Sequence, residues 1–334
     1  MICLLLKVPY LFAVQEITPY KYTNQERERG LSSYEIPVSS RHTLMRENNS
    51  ELIYYLSKPQ QSTFPIAILC GGSSSRNDVV SIIHFHRYFL REFLDLGCAV
   101  LTIEQQGINN NKINIDEFLE HYTRSARLKD HRQIIDYLSE NPPQGWNGKF
   151  VFMGVSEGGP LVTTLTADYS NKIVATINWA GAGDWTWGDE LWLFMQNLER
   201  TIPWYFKLRM TLPSWMPFSV DLYIPHSRKE YDQAINETIQ NPISTKELFG
   251  MPYKYHADAL KDYPAHDYSK LKTPFLVVAG DQDTIIQSCD AFVKKAKNAG
   301  APITYMRIEG MDHYIRHRPD VIDQSFAWLR GYVR

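Results

Sequence analysis

The chain has 334 residues, which fits one large α/β domain with an insertion or two ordinary domains. Its formal net charge is −2 and 22% of its residues are charged, so no excess of either sign indicates a polyanionic partner. The Lys and Arg residues form no basic stripe, which argues against nucleic-acid binding. No stretch approaches the roughly 20 apolar residues of a membrane-spanning helix, so no integral membrane segment is predicted.

The first 33 residues precede the predicted domain and have two interpretations. Residues 1–14 are apolar except for Lys7, and no basic region precedes them. This segment is either an imperfect export signal or an N-terminal arm that packs on the domain. We favour the arm, and with it a cytoplasmic location over export.

After residue 30, apolar strands alternate with amphipathic helices, as in βαβ units. Predicted strands lie at 34–38, 52–56, 64–70, 98–103, 150–153, 173–180, 274–279 and 303–308, and the first two form an antiparallel lead-in. Predicted helices lie at 79–96, 115–138, 161–168, 291–298 and 321–333. The predicted fold class is therefore α/β, with a mostly parallel central sheet flanked by helices on both faces.

Residues 184–272 interrupt this alternation. The segment is rich in aromatic residues, and helices are predicted at 190–200 and 227–240, with no buried strand. A segment of about ninety residues is too long for an unstructured loop, so we predict a helical cap, or lid, inserted before the last two strands. The α/β core would then comprise residues 34–183 and 273–334. Trp185, Trp187 and Trp192 are candidate substrate contacts, and the alternative is that the tryptophans form a small core of the cap itself.

The four cysteines, Cys3, Cys70, Cys98 and Cys289, form no C-x-x-C pair, so neither a zinc site nor a dithiol redox site is predicted. Cys70 and Cys98 adjoin apolar strands and are predicted to be buried free thiols. A disulfide between them is the alternative if the protein is exported.

The most informative motif is Gly154-Val155-Ser156-Glu157-Gly158, which lies between a predicted strand and a predicted helix. G-x-S-x-G in this context predicts a tight turn that lifts a serine hydroxyl clear of the sheet. The glycines leave room beside the strained serine, and the free N–H groups at the helix start can bind a developing negative charge.

A serine nucleophile needs a base, and the base needs an acid that orients it. The strand at 274–279 is followed by Asp281 and Asp283, and the strand at 303–308 by His313 and His317. In an open α/β sheet such residues meet at the carboxyl ends of the strands. Asp281 is the alternative acid, although a turn-forming Asp is common at that position. His317 is the alternative base, although it lies between two arginines.

These motifs, in the order Ser156, Asp283, His313, resemble those of the α/β-hydrolase-fold serine hydrolases. The resemblance covers roughly residues 34–183 and 273–334. It implies that Ser156 is the nucleophile, His313 the general base and Asp283 the orienting acid, and the family's spacing is the reason for preferring Asp283.

The resemblance also implies an oxyanion hole made of two backbone N–H groups. One belongs to Glu157, and the second is assigned to Gly72, with Ser73 as the alternative. Cys70 stands where the family usually has the histidine of a His-Gly pair. The Glu157 carboxylate is explained by the helix dipole, which favours it by roughly 0.3–1 kcal/mol. Glu104 begins a Glu-Gln-Gln-Gly turn where relatives often have Asp-x-Arg-Gly, and only loop packing should change.

The predicted activity is hydrolysis of a carboxylic ester or thioester through an acyl-enzyme, with no metal or organic cofactor. A prolyl-oligopeptidase-like exopeptidase and an acyltransferase use the same triad and stay open as alternatives. A catalytically inactive binding protein is the alternative from another class, although an intact triad argues against it. The predicted substrate is a small acyl ester, thioester or short peptide, and the oligomeric state is left open.

Overall fold

Residues 39–76, 78–109, 112–201, 225, 227–261 and 266–333 are described by a computed structural model. Within this part of the chain, the main sheet has eight strands, and two short hairpins lie outside it. The strands in chain order are β1 (Ser40–Met45), β2 (Glu51–Ser57), β3 (Phe64–Cys70), β4 (Ala99–Ile103), β5 (Ile108–Asn109), β6 (Lys112–Ile113), β7 (Trp146–Val155), β8 (Ile173–Trp179), β9 (Glu247–Leu248), β10 (Met251–Pro252), β11 (Phe275–Gly280) and β12 (Ile303–Ile308).

The main sheet has the strand order β1-β2-β4-β3-β7-β8-β11-β12. β2 pairs antiparallel with β1 and β4, and all other neighbours are parallel. The predicted fold class, a mostly parallel sheet flanked by helices, is therefore confirmed. The strand predicted at 34–38 lies outside the described residues. The observed partner of β2 is β1, whose Ser-Arg-His-Thr-Leu-Met sequence is too polar to stand out as a strand.

Helices lie between the strands and after the last of them. They are α1 (Ile83–Asp95), α2 (Ile115–His121), α3 (Arg124–Glu140), α4 (Gly158–Asp168), α5 (Trp187–Thr201), α6 (Arg228–Gln240), α7 (Tyr253–Ala259), α8 (Ile286–Asn298) and α9 (Pro319–Leu329), with 3₁₀ turns at Tyr268–Lys270 and Ile315–His317. Because side chains alternate along a strand, each face of the sheet has its own core. α1 and α9 cover the face that includes Leu69, and α3 and α4 cover the face that includes Ile68.

The single helix predicted at 115–138 is wrong, because the chain forms two helices there. Tyr122 and Thr123 adopt extended backbone, and the Thr123 hydroxyl accepts a hydrogen bond of 3.0 Å from the Ala126 N–H. A threonine in this position is a strong N-terminal cap, so a new helix starts after it. The break lets the Tyr122 ring stack on Tyr255, with ring centroids 4.8 Å apart.

The described part of segment 184–272 contains α5, α6, α7 and the β9–β10 hairpin. A small core joins them, made of Leu191, Met195, Tyr231, Ile235, Leu248 and Tyr253. No strand was predicted here, yet the hairpin buries Leu248 and Met251. Asp258 on α7 accepts hydrogen bonds of 2.7 Å from both the N–H and the hydroxyl of Ser125, which ties the segment to the start of α3. The assignment of 184–272 as a cap stays a prediction.

Three cysteines, Cys70, Cys98 and Cys289, are buried free thiols, as predicted for the first two. Burial raises the pKa of the Cys70 thiol to about 12, so this thiol stays protonated. The N-terminal 33 residues lie outside the described residues, so the arm and the export signal remain predictions. No helix in the described ranges has both the length and the apolar character to cross a bilayer.

Candidate active site

The predicted nucleophile lies in a tight turn between β7 and α4. Ser156 has φ of 53°, a left-handed conformation that is rare for any residue other than glycine. Its N–H donates a hydrogen bond of 2.9 Å to the carbonyl of Trp179, at the end of the neighbouring strand β8. A strained backbone that is held from the adjacent strand is typical of a functional turn.

Close backbone contacts explain the glycines around this turn. A Cβ on Gly158 would overlap the carbonyl oxygens of Cys70 and Gly71, and a Cβ on Gly181 would overlap the carbonyl oxygen of Ser156. The turn therefore touches the loop that follows β3 on one side and the loop that follows β8 on the other. Only residues without a side chain fit at these two contacts.

The side chains of the three predicted triad residues form one chain of hydrogen bonds. Asp283 follows β11, and its Oδ2 lies 2.9 Å from Nδ1 of His313, which follows β12. Nε2 of His313 lies 2.9 Å from Oγ of Ser156. The end of β11 and the loop after β12 are in close contact, because a Cβ on Gly280 would overlap the carbonyl oxygen of Met311.

The two alternative residues lie elsewhere. Asp281 Oδ1 accepts a hydrogen bond of 2.8 Å from the Gly310 N–H, so it stabilises the turn after β12. His317 contacts Asp312 at 3.0 Å, and its side chain is 54% exposed. Neither residue takes part in the hydrogen-bond chain that reaches Ser156.

The electrostatics of His313 suit a general base. The Asp283 carboxylate is fully buried and only accepts hydrogen bonds, so the proton between the two side chains sits on Nδ1 and leaves Nε2 free to accept from the Ser156 hydroxyl. Burial works to lower the pKa of His313, but the hydrogen bond and charge of Asp283, together with the charges of Asp312 and Glu190, outweigh it and raise the pKa above its usual value of 6.5.

The candidate oxyanion donors flank the serine. A Cβ on Gly72 would lie 3.3 Å from Cβ and 3.7 Å from Oγ of Ser156, so this glycine directly adjoins the hydroxyl. Glu157 is the N-cap residue that directly precedes α4. Within the described part of the chain, the backbone N–H groups of Gly72, Ser73 and Glu157 donate no hydrogen bond, so all three remain available to a ligand.

The Glu157 carboxylate has a second role beyond the predicted helix-dipole effect. Its side chain is 1% exposed and forms ion pairs with two arginines of α3, Arg124 at 3.2 Å and Arg127. Arg127 also donates hydrogen bonds to the carbonyl oxygens of Gly71, at 2.6 Å, and Gly72, at 3.3 Å. Neither arginine stands out in the sequence, because both lie on a charged helix with no local motif.

The three candidate tryptophans differ in their surroundings. Trp187 and Trp192 pack against the small core of segment 184–272, which is the alternative stated above. The Trp187 indole N–H donates a hydrogen bond of 3.1 Å to Nδ1 of His256. The backbone N–H of Trp185 donates one of 2.8 Å to the Ser288 hydroxyl on α8. Contact of these tryptophans with a substrate remains a prediction.

A further acidic residue, Glu190 in the first turn of α5, lies near the triad. Its Oε1 accepts a hydrogen bond of 2.6 Å from the Ser288 hydroxyl. Burial raises the pKa of Glu190 to about 7, and the negative charge of Asp283 adds to this effect. Among the described residues, no group of three or more His, Cys, Asp or Glu side chains is arranged to hold a metal ion.

The family model described as serine aminopeptidase, S33, matches residues 82–320. The chain belongs to this family. It is therefore an α/β-hydrolase-fold serine hydrolase, as the sequence motifs indicated. A search of the curated proteins found no match.

Several solved structures share the fold. An esterase from Pyrobaculum calidifontis matches with a TM-score of 0.57 and 14% identity, over 92% of this chain and 89% of that chain. A carboxyl esterase from Bacillus coagulans matches with a TM-score of 0.58 and 13% identity, over 88% of this chain and 97% of that chain. An esterase from Pyrococcus furiosus matches with a TM-score of 0.56 and 13% identity, over 97% of this chain and 99% of that chain. At this level of identity the likeness shows the fold alone.

Proposed function

We propose that this hydrolase cleaves a carboxylic ester through an acyl-enzyme on Ser156. The observation that carries the proposal is the continuous hydrogen-bond chain from Asp283 through His313 to Ser156. The esterases with the same fold provide weaker support, since one fold hosts many activities.

The proposed reaction has two halves. Ser156 Oγ attacks the ester carbonyl carbon while Nε2 of His313 takes its proton, and the oxyanion receives hydrogen bonds from the N–H groups of Gly72 and Glu157. The tetrahedral intermediate collapses, and the leaving alcohol takes the proton from His313. A water molecule then attacks the acyl-enzyme in the same way and releases the acid and the serine. Asp283 keeps the imidazole oriented and stabilises its protonated form.

Part of this proposal is that residues 184–272 act as a cap that binds the acyl group. Its support is the position of α5, because Glu190 in the first turn lies close enough for its charge to raise the pKa of His313. Thioesters fit the same mechanism, since the attacking and proton-transferring groups are unchanged. Transfer of the acyl group to an alcohol or amine also needs only this triad.

The test is labelling with a fluorophosphonate probe, followed by an ester panel. Wild-type protein should be labelled and should hydrolyse p-nitrophenyl esters, whereas Ser156→Ala should do neither. Ser269→Ala, at an exposed serine, is the matched control and should behave as wild type. Labelling of Ser156→Ala, or no labelling of any of the three proteins, would refute the proposal.

A second candidate is an aminopeptidase, and the observation that favours it is Glu190. A carboxylate near the triad would pair with the free N-terminal ammonium of a peptide substrate. The description of the matching family supports this candidate. Glu190→Gln should then reduce kcat/KM for aminoacyl p-nitroanilides with a free amine much more than kcat/KM for p-nitrophenyl acetate. Equal effects on both substrates would exclude this role of Glu190.

A further inference from the structure

We propose that Arg127 is the positioning residue of the oxyanion hole, because its guanidinium holds both donor segments in their relative orientation. This inference rests on the proposed function of Ser156. Arg127 lies in the first turn of α3 and is only 7% exposed. It contacts the loop after β3 through the carbonyls of Gly71 and Gly72 and the elbow through the Glu157 carboxylate.

A hydrogen bond to the carbonyl of a peptide also fixes the direction of the N–H group in that peptide. The carbonyl of Gly71 and the N–H of Gly72 belong to one planar trans peptide, so they point in opposite directions. When Arg127 holds the Gly71 oxygen, the Gly72 N–H is directed away from Arg127. Gly72, which adjoins Ser156, belongs to the same short loop as the Gly71 carbonyl that Arg127 holds. The second bond, to the Gly72 oxygen, fixes the Ser73 N–H in the same way, so both alternative donors are oriented by one side chain.

The loop needs such a support. Two consecutive glycines have the widest choice of backbone conformations, and residues 71–75 form neither helix nor strand. The next contact along the loop is the Ser74 N–H, which donates a hydrogen bond of 2.8 Å to the Tyr122 hydroxyl. That bond orients the peptide after Ser73, so it leaves the candidate donors of Gly72 and Ser73 to Arg127.

Glu157 completes the connection. Its own N–H is the other candidate donor, and its carboxylate is paired with Arg127, so one ion pair joins the two halves of the oxyanion hole. The negative charge of Glu157 also offsets the cost of burying the Arg127 guanidinium, because an unpaired buried cation is strongly destabilising. The acid after the nucleophile therefore acts through Arg127.

A purely structural role would fasten α3 to the turn without affecting the reaction, and a matched control separates the two roles. Arg46 is 9% exposed and pairs with Asp130, also on α3, through bonds of 2.9 and 2.8 Å. Like Arg127 it also bonds carbonyl oxygens, those of Glu51 and Glu104. These carbonyls lie outside the loop after β3, so Arg46→Met removes an equivalent buried arginine without touching the donor loop.

The experiment compares wild type, Arg127→Met, the double variant Arg127→Met/Glu157→Gln and Arg46→Met. In Arg127→Met the Glu157 carboxylate keeps Arg124 as a partner. In the double variant the carboxylate is removed together with Arg127, so no buried charge at position 157 is left unpaired. The measurements are Tm, kcat and KM for p-nitrophenyl acetate, the rate of fluorophosphonate labelling, and the ³¹P chemical shift of the labelled serine. The phosphoryl oxygen of that adduct occupies the oxyanion position, so its shift reports the hydrogen bonds there.

Arg127→Met should lower kcat and the labelling rate on the order of 10²-fold, the scale reported for small misplacements of catalytic groups, with KM unchanged. Its ³¹P shift should move away from the wild-type value. The double variant should have a higher Tm than Arg127→Met, whereas its kcat should stay as low. Arg46→Met should have a lower Tm than wild type, whereas its kcat and ³¹P shift should stay at wild-type values.

Two results would overturn the inference. One is a wild-type kcat and labelling rate in folded Arg127→Met, and the other is a double variant whose kcat returns together with its Tm. Both leave the labelling of wild-type Ser156 intact, so the proposed function would stand while Arg127 lost its role. If wild type itself is not labelled at Ser156, the proposed function fails and this inference fails with it.

Discussion

Replacing Glu104 with glutamine should make the protein more stable at alkaline pH. Glu104 follows β4 and is 1% exposed, and its two carboxyl oxygens accept hydrogen bonds from the Ser81 hydroxyl at 2.5 Å and the Ile82 N–H at 3.1 Å. Burial raises the pKa of this carboxyl from 4.5 to about 7, although both hydrogen bonds oppose the rise. The folded protein therefore holds a proton that the unfolded chain releases at lower pH.

The sign and size of the effect follow from proton linkage. A carboxyl whose folded pKa is raised contributes stability below pH 4.5, and that contribution is lost as the pH rises through about 7. A rise of this size corresponds to roughly 3 kcal/mol when it is fully developed. Glutamine stays neutral at every pH, and its amide can accept from Ile82 and donate to Ser81. We therefore expect Glu104→Gln to exceed wild type in unfolding free energy by roughly 2–3 kcal/mol at pH 8, and by less than about 1 kcal/mol at pH 5.

The assay is urea unfolding of both proteins at pH 5 and pH 8, with the unfolding free energy taken from linear extrapolation. Glu140→Gln, at an exposed glutamate on α3, is the control and should change little at either pH. If the difference in unfolding free energy between Glu104→Gln and wild type is the same at pH 5 and pH 8, the carboxyl ionises in the folded protein as easily as in water. The argument from burial would then be wrong.

Three further predictions concern the active site. Asp283→Asn should lower kcat by about 10⁴-fold, because it disturbs the tautomer and orientation of His313. Asp281→Asn should lower it far less, and the reverse order in a kinetic comparison would move the orienting acid to Asp281. The kcat/KM of wild type should rise with pH through a pKa above 6.5, because His313 accepts a proton only when neutral and its pKa is raised; an inflection below 6.5 would contradict the influence of Asp283. Gly158→Ala should destabilise the fold by about 1–3 kcal/mol or more, because the added methyl overlaps two carbonyl oxygens. A thermal melt equal to that of wild type would show that the turn is looser than described.

The parts of the structure that were predicted correctly depend on local patterns. Apolar runs such as Phe275–Gly280 are short and apolar throughout, as is typical of strands in a parallel sheet covered on both faces. The turn at Ser156 was predictable because G-x-S-x-G lies between a strand and a helix, and the glycines leave room beside a strained serine. The neighbouring positions of an acid and a histidine followed from the rule that the ends of parallel strands meet at one edge of the sheet. The choice of Asp283 over Asp281 came from the family's spacing.

The helix boundary at Tyr122 and Thr123 shows where such patterns fail. Apolar spacing continues through both residues, so periodicity alone favours one helix. Thr123 can cap a helix, but a threonine within a helix is also common, and the sequence contains no rule that decides between them. The break is accompanied by the stacking of Tyr122 on Tyr255, more than a hundred residues later. A contact of that sequence separation is tertiary information.

Cys70, a departure from the family pattern, and Glu157, an acid directly after the nucleophile, were interpreted separately in the sequence and lie at one site in the structure. The Cys70 thiol is buried and protonated, so it is a weak hydrogen-bond donor that cannot fix the glycine loop behind it. On our proposal, Arg127 supplies the strong donor instead, and it comes from a helix 56 residues away from Gly71. A buried arginine requires a buried carboxylate, which explains why an acid follows the nucleophile. Cys70 in place of the family's histidine and the acid Glu157 are then parts of a single arrangement around Arg127. Substitution of Arg127 should disturb both the glycine loop and the Glu157 carboxylate.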